Sequence, residues 1–281
     1  MIGSELLGAL FGLASATSWG VGDFSAGVAA KRSPAYLVSF VVQFTGLLLV
    51  SGLALVLSEP IPSTADLLWG AAAGVAGAVG GVALYLGLAT GRMGIVAPVS
   101  AAISAALPVV FGLLLEGLPA GQQLLGFGLA FVAVWLVSRT PDGNGIQPRE
   151  LVLPLAAGLG FGFFLILMER ASGTAVLWPL AAARFASSCV LFLVVLLTRG
   201  LGKFARARLP LMALAGTLDT GGMAFYALAT QAGRMDTAAV LSSLYPAVTV
   251  LLARFLLAER LNRRQWLGVV AALIAVILIA S

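Results

Sequence analysis

Two side chains of opposite charge stand deep inside apolar runs, where charge is costly and usually functional. Asp219 lies about ten residues from either end of its run, and Arg184 about ten residues into another. Both therefore fall near mid-bilayer and can pair. Two chemistries fit. Asp219 binds a substrate ammonium group or a coupling proton, with Arg184 as a switchable partner or as a carboxylate site; or the two form a static pair that fixes helix packing. Asp23 follows Trp19 by about one helical turn. It is expected to pair with Lys31 or Arg32, or to cap a helix break at Gly20 and Gly22. Trp19, Tyr85, Tyr226 and Tyr245 each offer a stacking face with a polar handle, which suits an amphipathic solute in a cavity. Trp178, Trp69, Trp135 and Trp266 read instead as interface anchors. Ser100, Ser104, Ser242 and Ser243 accompany Pro98, Pro108 and Pro246. Proline frees a backbone carbonyl and bends a helix, so Pro108 and Pro246 are candidate hinges. The serines are small packing residues or substrate contacts, Ser242 being kept as a candidate contact. Gln43 is polar within an apolar run and needs a partner that the sequence does not name.

Several chemistries are excluded. There is no histidine, so zinc sites of the usual type, Ser-His-Asp triads and histidine relays are ruled out. Cys189 is the one cysteine, which leaves no disulfide within this sequence. No Walker lysine pattern accompanies the many glycines, so the chain itself is not expected to hydrolyse a nucleotide. No cofactor, no metal and no catalytic activity are expected. The formal net charge of +5 reads as topology-setting loop charge rather than a nucleic-acid surface.

The elements that must position these residues follow from hydropathy. The 281 residues are 60% hydrophobic and 10% charged, with mean hydropathy +1.07, against about 25% charged in an ordinary soluble domain. That composition needs a bilayer for a solvent. Apolar runs long enough to span it occupy approximately 5–28, 35–57, 67–90, 94–115, 121–138, 151–170, 174–198, 208–231, 236–257 and 264–280. Alternation of period two is absent, so the expectation is ten transmembrane helices rather than a barrel. The first run has no basic segment ahead of it and carries Glu5, so it reads as a retained span.

Loop charge is uneven. Lys31, Arg32, Arg92, Arg139, Arg149, Arg199, Lys203, Arg206, Arg208, Arg260, Arg263 and Arg264 fall on one side, and Arg170 and Arg234 on the other. The side holding Glu59 and Asp66 is the second one. The positive-inside rule makes the basic side cytoplasmic and puts both termini outside. Gly91-Arg92-Met93 recurs as Gly233-Arg234-Met235, and Leu125-Gly126 as Leu267-Gly268, each 142 residues later. Five spans per repeat is an odd number, so the two copies face opposite ways. The expected organisation is a five-helix repeat at 1–140, a linker at 141–150 and an inverted repeat at 151–281.

The ordered motifs resemble the EamA type of the drug/metabolite transporter superfamily, over essentially the whole chain. They are Trp19-Gly20 followed by Phe24, the proline-containing run from Pro246 to Glu259-Arg260, and Gln265 to Gly268, matched by Gln123 to Gly126. The first half closes on Glu116-Gly117 rather than Glu-Arg, and in the second half helix 6 lacks the Trp-Gly and has Gly158, Gly160, Phe161 and Gly162 instead. Family members are often described with cytoplasmic termini, opposite to the charge distribution here. The resemblance implies a plasma-membrane exporter of small metabolites, amino acids in first place and aromatic ones included. It also implies a central cavity lined by helices 1, 3, 4, 6, 8 and 9, with helices 5 and 10 outside. Efflux of lipophilic cations is the alternative; a channel or scaffold is a reading of another class. Coupling to protons and facilitated diffusion both stay open. The partners expected are a small-molecule substrate and the bilayer, with a monomer forming the whole cavity.

Overall fold

The computed structural model describes residues 4–91, 93–116, 121–137, 148–171, 175–199, 208–232, 241–242, 244–259 and 261–280. Among them the chain forms α1 (Ser4–Ala30), α2 (Ala35–Val56), α3 (Thr64–Thr90), α4 (Met93–Glu116), α5 (Gly121–Val137), α6 (Pro148–Ala171), α7 (Leu177–Leu197), α8 (Leu209–Ala232), α9 (Tyr245–Leu256) and α10 (Arg263–Ala280). Arg92, Gly117, the turn at Gly233-Arg234-Met235, Ser243, Arg260 and linker residues 138–147 lie outside the described residues. Helices α2, α3, α6, α7 and α8 contain stretches long and apolar enough to cross a membrane. Their outward faces are greasy: Leu48, Leu55, Val56, Leu68 and Leu197 are each more than 60% exposed. The chain is a multi-pass membrane protein.

Local chemistry explains several boundaries. Ser63 and Asp66 form a reciprocal capping box, so α3 starts at Thr64, ahead of its apolar run. Pro148 opens α6 three residues before residue 151, because a helix's first turn needs no N–H from it. The largest departure is α9. Of the expected helix over 236–257, Leu241 and Ser242 are helical, Leu244 lies in a turn, and a further helix runs Tyr245–Leu256 with Pro246 in its first turn. Pro246 thus starts a helix rather than bending one, as its missing N–H favours. Pro108 does lie within an unbroken α4.

Helix contacts run through glycine, because association in lipid depends on close packing. α1 lies antiparallel on α8: Ser15 Oγ donates to the Gly222 carbonyl at 2.8 Å and Ser18 Oγ to that of Leu218 at 2.7 Å. α3 lies antiparallel on α6, Gly80 facing Gly160 and Gly77 facing Phe164. At Gly74 the Ala183 carbonyl of α7 occupies the space a Cβ would need. α2 runs antiparallel to α7 and parallel to α8, where Gly216 meets Val42 and Thr45. α4 packs on α6 through Gly158 and Gly162, and α9 on α1 through Gly20. These registers make α1, α3, α7 and α9 run one way and α2, α4, α6 and α8 the other. α5 and α10 pair through Ala133, Ala271 and Ala272, and join the rest mainly through α4.

Candidate functional site

Arg184 and Asp219 form a salt bridge, Nη2 donating to Oδ2. The other guanidinium arm, Nη1, donates to Gln43 Oε1, which supplies the partner the sequence left unnamed. Met223 Sδ lies 3.7 Å from Nη2. Three helices thus converge on one cation: α7 carries Arg184, α8 carries Asp219 and Met223, and α2 carries Gln43. Gly46 makes this possible, since its absent side chain leaves room 3.2 Å from Arg184 Nε and from Thr220 Oγ1. Arg184 is buried, and its Nε has no hydrogen-bond partner among the described residues.

One turn of α8 away, three aromatic rings meet. Trp19 of α1 lies against Gly222, its Nε1 donating to the Asp219 carbonyl at 3.0 Å. Its ring centroid is 6.3 Å from that of Tyr226 and 6.1 Å, edge-on, from that of Tyr245 of α9. Trp19, Tyr226, Tyr245, Arg184 and Asp219, all singled out from the sequence, therefore share one region. Ser242 is buried and turned to α1, its hydroxyl 3.5 Å from the Gly12 carbonyl. Tyr85 departs from its expected place on a cavity wall: it is buried in the main apolar cluster with Phe24, Val38 and Leu88.

Asp23 departs further. α1 runs unbroken through Gly20 and Gly22, so there is no break to cap. Both glycines serve packing, Gly20 against Val248 and the Tyr245 carbonyl, Gly22 against the Ala215 carbonyl. Lys31 and Arg32 are exposed, and among the described residues neither pairs with Asp23. Asp23 is instead partly buried, within electrostatic reach of Asp219, Tyr85 and Tyr245.

Two acidic residues, Glu59 and Glu259, tie the bundle at its ends. Glu59 accepts hydrogen bonds from the backbone N–H of Val176, Leu177 and Trp178 at 3.0, 3.1 and 2.9 Å, capping the start of α7. Trp178 Nε1 answers by donating to the Glu59 carbonyl at 2.9 Å, so this anchor is a tie between loop and helix. Partial burial pushes the Glu59 carboxyl up, but the three N–H donors outweigh it and hold it below the ordinary glutamate range. Glu259 Oε2 accepts from Gly94 N–H at 3.1 Å at the start of α4. The helix directions put these two caps at opposite ends of the bundle. Each acid follows a residue with positive φ, Ser58 at 51° and Ala258 at 53°, and its own N–H returns to the end of the helix behind it, at Ala54 and Ala253. The repeated Leu-x-Glu of Leu57 to Glu59 and Leu257 to Glu259 was the available signal. A shallow crease lies beside the second cap, lined by Gly94, Val250, Arg254, Glu259, Leu261 and Trp266, away from Arg184 and Asp219. Arg254 reaches outward there and lies 5.9 Å from the Trp266 ring.

Comparison with known proteins agrees with this architecture. No curated protein matches the sequence. One solved crystal structure, 14% identical, superposes with a TM-score of 0.61 over 98% of this chain and 96% of that one, a likeness of fold alone. The model of the EamA-like transporter family matches residues 149–281. Residues 149–281 are thus similar to the EamA-like transporter family, within a chain whose helices are those of a multi-pass membrane protein.

Proposed function

We propose that this chain is a secondary transporter of the plasma membrane that exports small amphipathic metabolites, amino acids in first place, by alternating access. The halves are 1–140 and 151–281, joined by the linker at 141–150 and related as inverted repeats. Helix packing supports that relation. Exchanging each helix of one half for its counterpart turns the α1–α8 contact into α6–α3, the α2–α8 contact into α7–α3, and the α1–α9 contact into α6–α4. All of these contacts occur, and α1 and α6 run in opposite directions.

The observation that carries the reading is the Arg184–Asp219–Gln43 cluster beside the rings of Trp19, Tyr226 and Tyr245. A guanidinium recognises a carboxylate, a carboxylate recognises an ammonium group, and aromatic faces take an apolar side chain. An amino acid carries all three. Pro246, at the joint between residues 242 and 245, and Pro108, within α4, are the places where each half flexes. The same aromatic faces favour a second reading, efflux of lipophilic cations.

Counterflow of labelled amino acids in proteoliposomes, with and without an imposed pH gradient, tests the proposal. Saturable counterflow of aromatic or branched amino acids is expected. Its absence for every amino acid, with lipophilic cations moved instead, replaces the first reading by the second; unsaturable flux without counterflow marks a channel.

A further inference from the structure

We infer that Glu59 is the latch of a gate: its carboxylate holds the start of α7 to the end of α2 over the Arg184–Asp219 pair, and lets go when that face of the protein opens. The inference rests on the transporter reading and deepens it, by naming the contact that parts on one side of the membrane.

The place of the tie carries the argument. Glu59 follows α2, in the first half. The N–H groups it holds, those of Val176, Leu177 and Trp178, open α7 in the second half. Helices α2 and α7 are counterparts under the exchange of halves, so the tie crosses the boundary that alternating access has to part. Beneath it lies an apolar plug. Val50 of α2 and Leu180 and Ala181 of α7 form its centre, with Trp178, Met168 of α6 and Met223 of α8 packed against them. Met223 Sδ in turn lies 3.7 Å from Arg184 Nη2. Trp178 precedes Arg184 by only about 9 Å along α7. A thin layer thus separates the charged pair from the face that bears Glu59. Trp178 belongs to both plug and tie, since its Nε1 donates to the Glu59 carbonyl.

The chemistry suits a contact that breaks and forms again. The bond from Val176 is exposed and the other three are only partly buried, so water can take the place of Glu59 on each donor. Ser58, just ahead, holds a φ of 51°, which is costly for a residue with a side chain and is offset while the ties last. The end of α7 has the same turn, with Arg199 at φ 50°, yet Gly200 follows it where Glu59 follows Ser58. Such a turn therefore closes a helix without a glutamate, and Glu59 serves the neighbouring helix instead. The opposite end of the bundle repeats the device. Glu259, after α9, accepts from the Gly94 N–H at the start of α4, the counterpart of α9, and Leu261 covers Ile95 and Val99 there. Each face thus has one acidic tie between paired helices.

The test measures access to the plug from each face. The full chain carries Cys189→Ser and Met223→Cys, and a membrane-impermeant methanethiosulfonate is applied to intact cells and to inside-out vesicles. Glu59→Gln keeps the side-chain length, removes the charge and turns one acceptor into a donor. Labelling from the face that bears Glu59, the outer one by the loop charges, should then be roughly fivefold faster or more. Trp178→Phe keeps the ring and loses the Nε1 bond, so it should give a smaller rise on the same face. Glu259→Gln should leave that rate unchanged. A rate that Glu59→Gln and Trp178→Phe leave unchanged, or raise equally from both faces, would overturn the inference, because a tie that only stabilises the fold loosens both. Counterflow that fails for every amino acid while the one-sided change persists removes the amino-acid reading and keeps the latch. Normal counterflow without a one-sided change removes the latch alone.

Discussion

Charge neutralisation of Asp219 should destabilise the fold more than neutralisation of Arg184, although the two share one salt bridge. Arg184 is the deeper partner, its side chain 11% exposed against 31% for Asp219. Asp219→Asn leaves a permanent cation between α2, α7 and α8 with Gln43 but no counter-ion. Breaking a buried pair from one side costs about 3–5 kcal/mol. The asparagine can still accept a hydrogen bond from Nη2, worth about 1 kcal/mol. The expected loss is therefore about 3 kcal/mol. Arg184→Gln leaves a carboxylate whose side chain is 31% exposed and keeps part of its hydration, so it should cost about 1–2 kcal/mol. The double variant holds no charge and should resemble Arg184→Gln alone. Thermal unfolding in micelles, followed by circular dichroism, reads the cycle at ~2–4 °C per kcal/mol. The deficit of Asp219→Asn should thus be roughly 6–12 °C and largely recovered in the double variant. Additive single losses within about 0.5 kcal/mol, or equal losses for the two single variants, would refute the reasoning.

Other outcomes follow from the caps and the packing. The folded-state value of Glu59 is depressed, so its contribution to stability is complete above the ordinary glutamate value of 4.5 and is lost as pH falls through the depressed one. Melting temperatures should fall below that pH in the wild-type protein, and Glu59→Gln should flatten that part of the profile. Gly74→Leu should cost about 3 kcal/mol or prevent assembly, because the Ala183 carbonyl fills its space, whereas Gly52→Leu meets nothing within 4 Å and should change melting by less than about 0.5 kcal/mol. Trp19→Phe keeps the ring and loses the Nε1 donor to Asp219, which should cost about 1 kcal/mol and weaken substrate affinity; unchanged affinity in transport assays would remove Trp19 from the site. With Cys189 replaced by serine, a cysteine at position 281 should label in intact cells, as the loop charges require; labelling only after permeabilisation would reverse the topology.

Apolar runs foretold most helices because a bilayer demands long, uncharged, internally hydrogen-bonded segments, and little else satisfies it. Arg184 and Asp219 were legible together because two opposite charges at one depth have few alternatives. Rotation of each helix about its axis was not legible. Lipid and protein interior are equally apolar, so nothing in the sequence around Tyr85 told a cavity wall from a core, and Gln43 could not be matched to Arg184. Asp23 was read through its sequence neighbours Lys31 and Arg32, when its true neighbours come from α3, α8 and α9. Glu59 passed as loop charge because a helix cap looks the same as a solvated glutamate until its donor helix is known. Pro246 shows a different limit: one proline both ends and starts helices, and hydropathy cannot see the joint.

The interleaving of the two halves bears on how the protein is made. Helix α3 lies on α6 and α7, and α1 on α8 and α9, so Gly20 and Gly22 of α1 and Gly70, Gly74, Gly77 and Gly80 of α3 are buried against helices not yet synthesised. Gln43 waits 141 residues for Arg184, and the Glu59 carboxylate waits 117 for Val176. A ribosome releasing the first half therefore exposes open helical grooves and unmet polar groups to lipid for many seconds, at about 5–20 residues per second. During membrane insertion this chain depends on something to shelter those surfaces, or on the second half arriving before another copy of the first does.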